Sequence, residues 1–365
     1  MKNIKETIQN KVIKKRVKWI DLARALAIVV VVLCHAVENT YVLDMKHVQT
    51  LPLWSQIFAF AGFSIGRVGV PFFLMISGYL LLDRDYDSVK IKKFWKKSWL
   101  HFLLCTVIWF AIYDLIIIVA TRQSWLNFWT VLEDLLLWHH VNMWHVWYMP
   151  MVLGLYIVIP FIAIALRKID DKLLTFPVIF FTFFSFVFHL ADVINNVVRP
   201  GVPLDNQLAM GFGGSAYWLY LIFGYMVKKG MFKKIKTSTL WMASLISLAL
   251  CVWLQVWSYG HHVQYNLWYD CLPLAVASLS LFELLSRLKN VRGYRLAKII
   301  SYYSFPIYLI HFVVLLGIKP LVNGLAVAMP VKVLIMWTVI FAVAFVLSVV
   351  INHIPKVGKF LLYTK

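Results

Sequence analysis

The sequence predicts an all-α polytopic integral membrane protein of about ten transmembrane helices, with its N and C termini in the cytoplasm. Three observations predict it. Of the 365 residues, 62% are hydrophobic and only 14% are charged, and the mean hydropathy is +0.78, outside the range of a soluble globular domain. Ten apolar runs are long enough to cross the ~30 Å of a hydrocarbon core. Lysine and arginine also alternate from loop to loop as the positive-inside rule requires when both chain ends face inward.

The runs fall at 20–37, 54–82, 98–120, 145–166, 173–190, 212–227, 240–257, 265–286, 298–318 and 328–352. A basic segment, residues 1–18, precedes them. No A-x-A-like cleavage site follows it, so the first run reads as an uncleaved span rather than a signal peptide. That span, WIDLARALAIVVVVLCHAVE over Trp19 to Glu38, holds Arg24 and His35. Eleven residues is close to three helical turns, which puts the two on one face about 16 Å apart. Asp21 and Glu38 share the stripe, and their spacing of three residues lets Asp21 pair with Arg24 and Glu38 reach His35.

The second run is too long for one straight helix and clusters Gly62, Gly66, Gly69 and Pro71, predicting a kink or an unwound entry there. Arg67 sits beside that break, a turn inside the outer boundary, and needs a carboxylate or carbonyls. Asp114 lies in the outer half of the third run. The loop at 121–144 is rich in Trp and His with apolar residues at helical spacing, the pattern of an amphipathic helix on the outer surface. His145 opens the fourth run, Asp270 lies early in the eighth and His311 in the outer half of the ninth. Ionisable groups inside a bilayer are costly unless paired or wetted, so several at the depth of His35 and Arg67 predict a shared hydrated cavity. The ten-helix domain spans residues 19–352, and 353–365 form a short basic cytoplasmic tail.

A net charge of +20 raises nucleic acid as a partner, and its placement argues against one. The segments assigned to the inner side hold 29 of the 36 lysines and arginines; the outer loops hold only Lys46, Arg122, Arg199 and Lys319. The charge therefore encodes topology and contact with anionic membrane lipids. All four cysteines lie in apolar runs without C-x-x-C spacing, so neither a disulfide nor a metal site is expected.

The segments WIDLARALAIVVVVLCH, RVGVPFFLMISGYL, HVWYMPMVLGLYIVIP and SFPIYLIH together resemble the membrane-bound acyltransferase family 3, in particular its branch of bacterial surface-polysaccharide O-acetyltransferases such as the enterobacterial common antigen enzyme. They fall in the family's order and cover nearly the whole chain. The resemblance implies a multi-pass protein of the bacterial plasma membrane. Such a protein would move an acyl group from cytoplasmic acetyl-CoA, or another acyl-CoA, to a hydroxyl of a polysaccharide or glycolipid outside, with no permanently bound cofactor.

In that family an arginine or lysine, ten residues and a histidine form the essential signature of the first span, which maps onto Arg24 and His35. Arg67 matches the arginine of the second segment. Where the family carries R-x-x-R on the cytoplasmic side of the next span, this chain reads KIKKFWKKSWLH with Lys93 and Lys96; lysine keeps the charge but loses the bidentate fork. Many members also carry a C-terminal esterase-like domain, for which Lys365 leaves no room.

Read together with the spacing of the first span, the resemblance leads to the expectation that Arg24, Lys93 and Lys96 bind phosphate and that His35, Glu38 and Arg67 carry catalysis. His35 would act either as general base oriented by Glu38 or as an acyl carrier, with Arg67 or the backbone near the glycine break facing the oxyanion. His145, Trp147, Tyr148, Asp270 and His311 are the candidates for the acceptor cavity, with Trp144 as a further stacking surface. The competing expectation is an exporter or flippase of a lipid-linked sugar without acyl transfer.

Overall fold

The computed structural model describes residues 16–121, 128–138, 143, 145–202, 204–205, 216–355 and 357–364. Among them all regular structure is helical. Eight helices are long and apolar enough to cross a membrane: Lys18–Tyr41, Leu53–Leu81, Ser88–Val119, Tyr148–Lys168, Asp171–Val198, Thr237–Gly260, Tyr294–Asn323 and Met329–Asn352. They match spans one to five, seven, nine and ten. The sixth appears as Ala216–Lys229 and the eighth as Leu272–Ser286. The 15 residues of the latter rise only about 22 Å, less than a full crossing.

The first two spans form the centre of the bundle. Of their most apolar stretches 61% and 67% are buried, against 17% for the fifth span and 22% for the tenth. The first span packs on the second, eighth, ninth and tenth, because Ala23, Ala27, Cys34 and Ala36 leave its surface low enough for neighbours to approach. The second span meets it through glycine. A Cβ on Gly66 would lie 2.5 Å from the Cβ of Cys34, and one on Gly69 2.5 Å from Cγ2 of Val31. Only small residues permit that approach, and it brings Arg67 alongside the helix that carries His35.

The expected break in the second span lies at Val68, between Leu53–Arg67 and Gly69–Leu81. Pro71 has no N–H to give to the carbonyl four residues back, that of Arg67, so the helical ladder is interrupted at the arginine itself. The amphipathic helix expected in the loop at 121–144 is present as Phe128–Leu135, with Phe128 and Trp129 exposed and Asp134 buried. Trp144 lies outside the described residues.

At the basic end the chain is tied together by Asp21, whose buried carboxylate accepts four hydrogen bonds. Arg16 gives two, at 2.6 and 2.9 Å; Tyr294 and Ser301 of the ninth span give one each, at 2.9 and 3.0 Å. The expected Asp21–Arg24 pair is therefore absent: donors from outside the first span saturate the carboxylate, and the i,i+3 partner is left aside. The closing segment also folds back. Trp109 donates to the Leu361 carbonyl at 2.8 Å and Tyr363 to the Ser98 carbonyl at 3.0 Å, which holds Tyr363 and Thr364 against the basic end of the bundle.

Candidate active site

The site begins with the first span, whose period puts His35 and Glu38 on one face. His35 Nδ1 lies 3.2 Å from Glu38 Oε2. An ionised carboxylate can only accept, so Nδ1 carries the proton and the lone pair of a neutral ring is on Nε2. The His35 side chain is 14% exposed and that of Glu38 39%, so the imidazole is enclosed while its orienting carboxylate reaches toward solvent. Asn39 fixes the same turn by donating to the His35 carbonyl at 2.9 Å. Glu38→Gln is expected to lower kcat about tenfold with little change in donor affinity, since a neutral amide still spaces the ring but no longer stabilises the imidazolium. A steady-state rate equal to that of the native protein would remove Glu38 from the machinery.

Two further histidines complete the enclosure. His145 and His311 are buried, with ring centroids 6.4 and 5.3 Å from His35 and 5.1 Å from each other. His311 Nδ1 donates to the Tyr308 carbonyl at 2.7 Å, leaving its Nε2 buried without a partner. His145 stacks on Phe312 at 4.6 Å, and its Nε2 lies 3.4 Å from the Tyr113 hydroxyl. Among the described residues no group of three His, Cys, Asp or Glu side chains is disposed to hold a metal ion. The three rings form a polar wall in an apolar bundle.

Arg67 faces His35 across a compartment of about 20 Å³ lined by both residues together with Gly66, His145, Trp147 and Tyr148. That is room for about one water molecule. The guanidinium is buried, yet among the described residues no carboxylate pairs with it. The expected charge partner is replaced by aromatic faces, with the Phe63 and Trp268 ring centroids each 4.5 Å and that of Tyr269 5.3 Å from its central carbon. The ring quadrupoles hold the cation electrostatically. Nη1 donates to the Tyr269 hydroxyl at 3.2 Å, while Nε has no partner. A buried guanidinium with an unused donor beside a histidine is suited to charge that appears only during a reaction.

Below the compartment runs a line of cavities. Tyr148 and Tyr308 border both the compartment and a cavity of about 330 Å³ lined by Arg24, Ser77, Phe102, Tyr156 and Ser304. Arg24, Ser301, Tyr302 and Tyr363 in turn border both that cavity and a wider one of about 880 Å³ at the basic end, which Arg16, Asp83, Arg84 and Lys228 also line. Arg24 thus stands where the wide mouth narrows. Among the described residues no acidic side chain pairs with it.

Of the residues expected at the cavity, His35, Arg67, His145, Trp147 and Tyr148 line the compartment, and His311 stands against His35. Asp270 does not join them. Its carboxylate points to His189, 3.4 Å away, while its neighbours Trp268 and Tyr269 take the places around Arg67. Lys93 and Lys96 are exposed and border none of these cavities; the cations at the mouth are Arg16, Arg24, Arg84 and Lys228. Asp114 is buried in the third span, away from the cavity walls. Sequence reasoning named Arg24 at the mouth but missed Arg16, Arg84 and Lys228, because those cations are indistinguishable from topological charge. It missed the aromatic cage because Trp268 and Tyr269 stand in a segment read only for its aspartate.

A family model described as an acyltransferase domain matches residues 17–353. No curated protein and no solved structure matches the chain. The matched range contains His35, Arg67, His145 and His311, and it makes this chain a member of acyltransferase family 3, a multi-pass membrane acyltransferase.

Proposed function

We propose that this protein is an O-acetyltransferase of the bacterial plasma membrane that carries an acetyl group from cytoplasmic acetyl-CoA to a hydroxyl of a cell-surface polysaccharide or glycolipid. The observation that carries this reading is Arg24, a cation without an acidic partner among the described residues, which borders both the wide basic mouth and the cavity that shares Tyr148 and Tyr308 with the compartment of His35 and Arg67. Phosphates bind cations at the mouth, and an extended pantetheine arm fits a canal bounded by Phe102, Tyr148, Tyr156 and Phe305. The thioester then arrives beside His35. The small compartment there supports acetyl over long acyl chains.

In the reaction, Nε2 of His35 takes the proton of the acceptor hydroxyl as its oxygen attacks the thioester carbon. The carbonyl electrons move to an oxyanion beside Arg67. Collapse breaks the carbon–sulfur bond, and the imidazolium proton passes to the departing thiolate, giving the acetyl ester and free CoA. Glu38 stabilises the imidazolium between these steps. An acetyl-histidine relay uses the same groups, with Nε2 as nucleophile.

Calorimetric titration of the detergent-purified protein with acetyl-CoA tests the reading. Arg24→Ala is expected to weaken binding by about tenfold or more, the weight of one or two charge-assisted hydrogen bonds, while His35→Ala binds as the native protein does. Absence of acetyl-CoA binding by the native protein would overturn the donor assignment and favour export of a lipid-linked sugar through the same cavities.

A further inference from the structure

A further cavity of about 380 Å³ opens beside the basic mouth, lined by Arg16, Arg295, Lys298, Ile299, Tyr302 and Tyr303. It shares Arg16 and Tyr302 with the mouth, so the two are neighbouring rooms of one basic surface. Five of its six residues lie on the opening turns of the ninth span, Tyr294–Asn323, where positions 295, 298, 299, 302 and 303 repeat at helical spacing on one face. Arg16 closes the opposite side, fixed by its two hydrogen bonds to Asp21.

The placement of Arg295 in the first turn runs against helix stability. The N-terminal turn of a helix carries the positive end of its dipole and favours anionic side chains, not cations. This helix has no acidic residue in its first turn, and among the described residues no carboxylate pairs with either cation. Two cations that no carboxylate pairs with among the described residues, sharing one cavity with Arg16, make an anion site. Topological charge alone asks only that cations stand at this end of the bundle, not that they share a cavity with the mouth.

We propose that this cavity holds the 3′-phosphate of the acyl-CoA nucleotide, bound by Arg295 and Lys298. The assignment rests on the donor reading above. With pantetheine in the cavity past Arg24 and the diphosphate at the cations of the mouth, the cavity that adjoins the mouth through Arg16 and Tyr302 is open to the nucleotide end of the molecule. A terminal phosphate monoester carries more charge than a diester and matches the arginine fork. Tyr302 and Tyr303 supply ring faces at the same wall.

The test compares acetyl-CoA with 3′-dephospho-acetyl-CoA by calorimetry on the full-length protein, native and Arg295→Ala/Lys298→Ala; both side chains are exposed, so the fold is retained. Removing either the 3′-phosphate or the two side chains is expected to weaken binding about tenfold, the scale of a charge-assisted contact, and removing both is expected to cost no more than removing one. Native affinity of the double variant for acetyl-CoA, or an equal loss with both nucleotides, overturns the subsite. A phospholipid headgroup offers the same phosphate chemistry. The titrations are therefore repeated in vesicles with and without phosphatidylglycerol, and a native affinity that the anionic lipid lowers and the double variant ignores would assign the cavity to lipid instead. Failure of the native protein to bind either nucleotide removes the donor reading, and this subsite with it.

Discussion

Replacing His35 with alanine is expected to abolish acetyl transfer, with kcat falling by a factor of about 10²–10⁴, the usual contribution of a positioned general base, while acetyl-CoA affinity is retained. The separation follows from geometry. His35 borders the compartment where the thioester ends, and the phosphate-binding cations lie at the other end of the line of cavities. Its ring is oriented by Glu38 at 3.2 Å, so truncation removes the reacting nitrogen and leaves the donor's path intact. Single-turnover release of CoA in the presence of an acceptor extract reads the effect. Native turnover in His35→Ala would move the chemistry to another group, with His311 the nearest alternative, since its buried Nε2 is unpartnered.

Arg67→Lys is expected to lower kcat by about 10²–10³, the range measured for loss of one oxyanion donor, despite conserving the charge. The guanidinium carbon lies 4.5 Å from both the Phe63 and the Trp268 ring centroids, and a planar guanidinium can stack on such rings while its N–H groups remain free to donate. An ammonium has neither that planarity nor that donor geometry, and it is more strongly hydrated, so it pays more to enter the aromatic cage. Because the side chain is buried at 5% exposure, the thermal midpoint should be measured alongside the rate. A lowered midpoint with unchanged kcat in the folded fraction would make Arg67 a structural cation.

The difference between what periodicity and what packing determine is visible at these same residues. Repeat lengths, apolar runs and the alternation of lysine and arginine are local or additive properties of the chain. They therefore determined the helical membrane class, the break at Gly66 to Pro71 and the His35–Glu38 contact, which lies within one turn of one helix. Asp21 and Arg24 obey the same spacing and still do not pair, because Arg16, Tyr294 and Ser301 reach the carboxylate from outside the first span. Two of the three aromatic partners of Arg67, Trp268 and Tyr269, come from about two hundred residues away in sequence, and whether Tyr269 or Asp270 faces the site is a matter of which way one short segment turns. Lys93 and Lys96 likewise have the right charge on the right side of the third span, but the rotation of that helix leaves them exposed. By itself the sequence determined which side chains lie at which depth of which helix. Only the tertiary structure decided which of them meet, because contact across a bundle is set by the rotation and separation of whole helices, quantities fixed by close approaches such as that of Gly66 to Cys34 and not by any spacing along the chain.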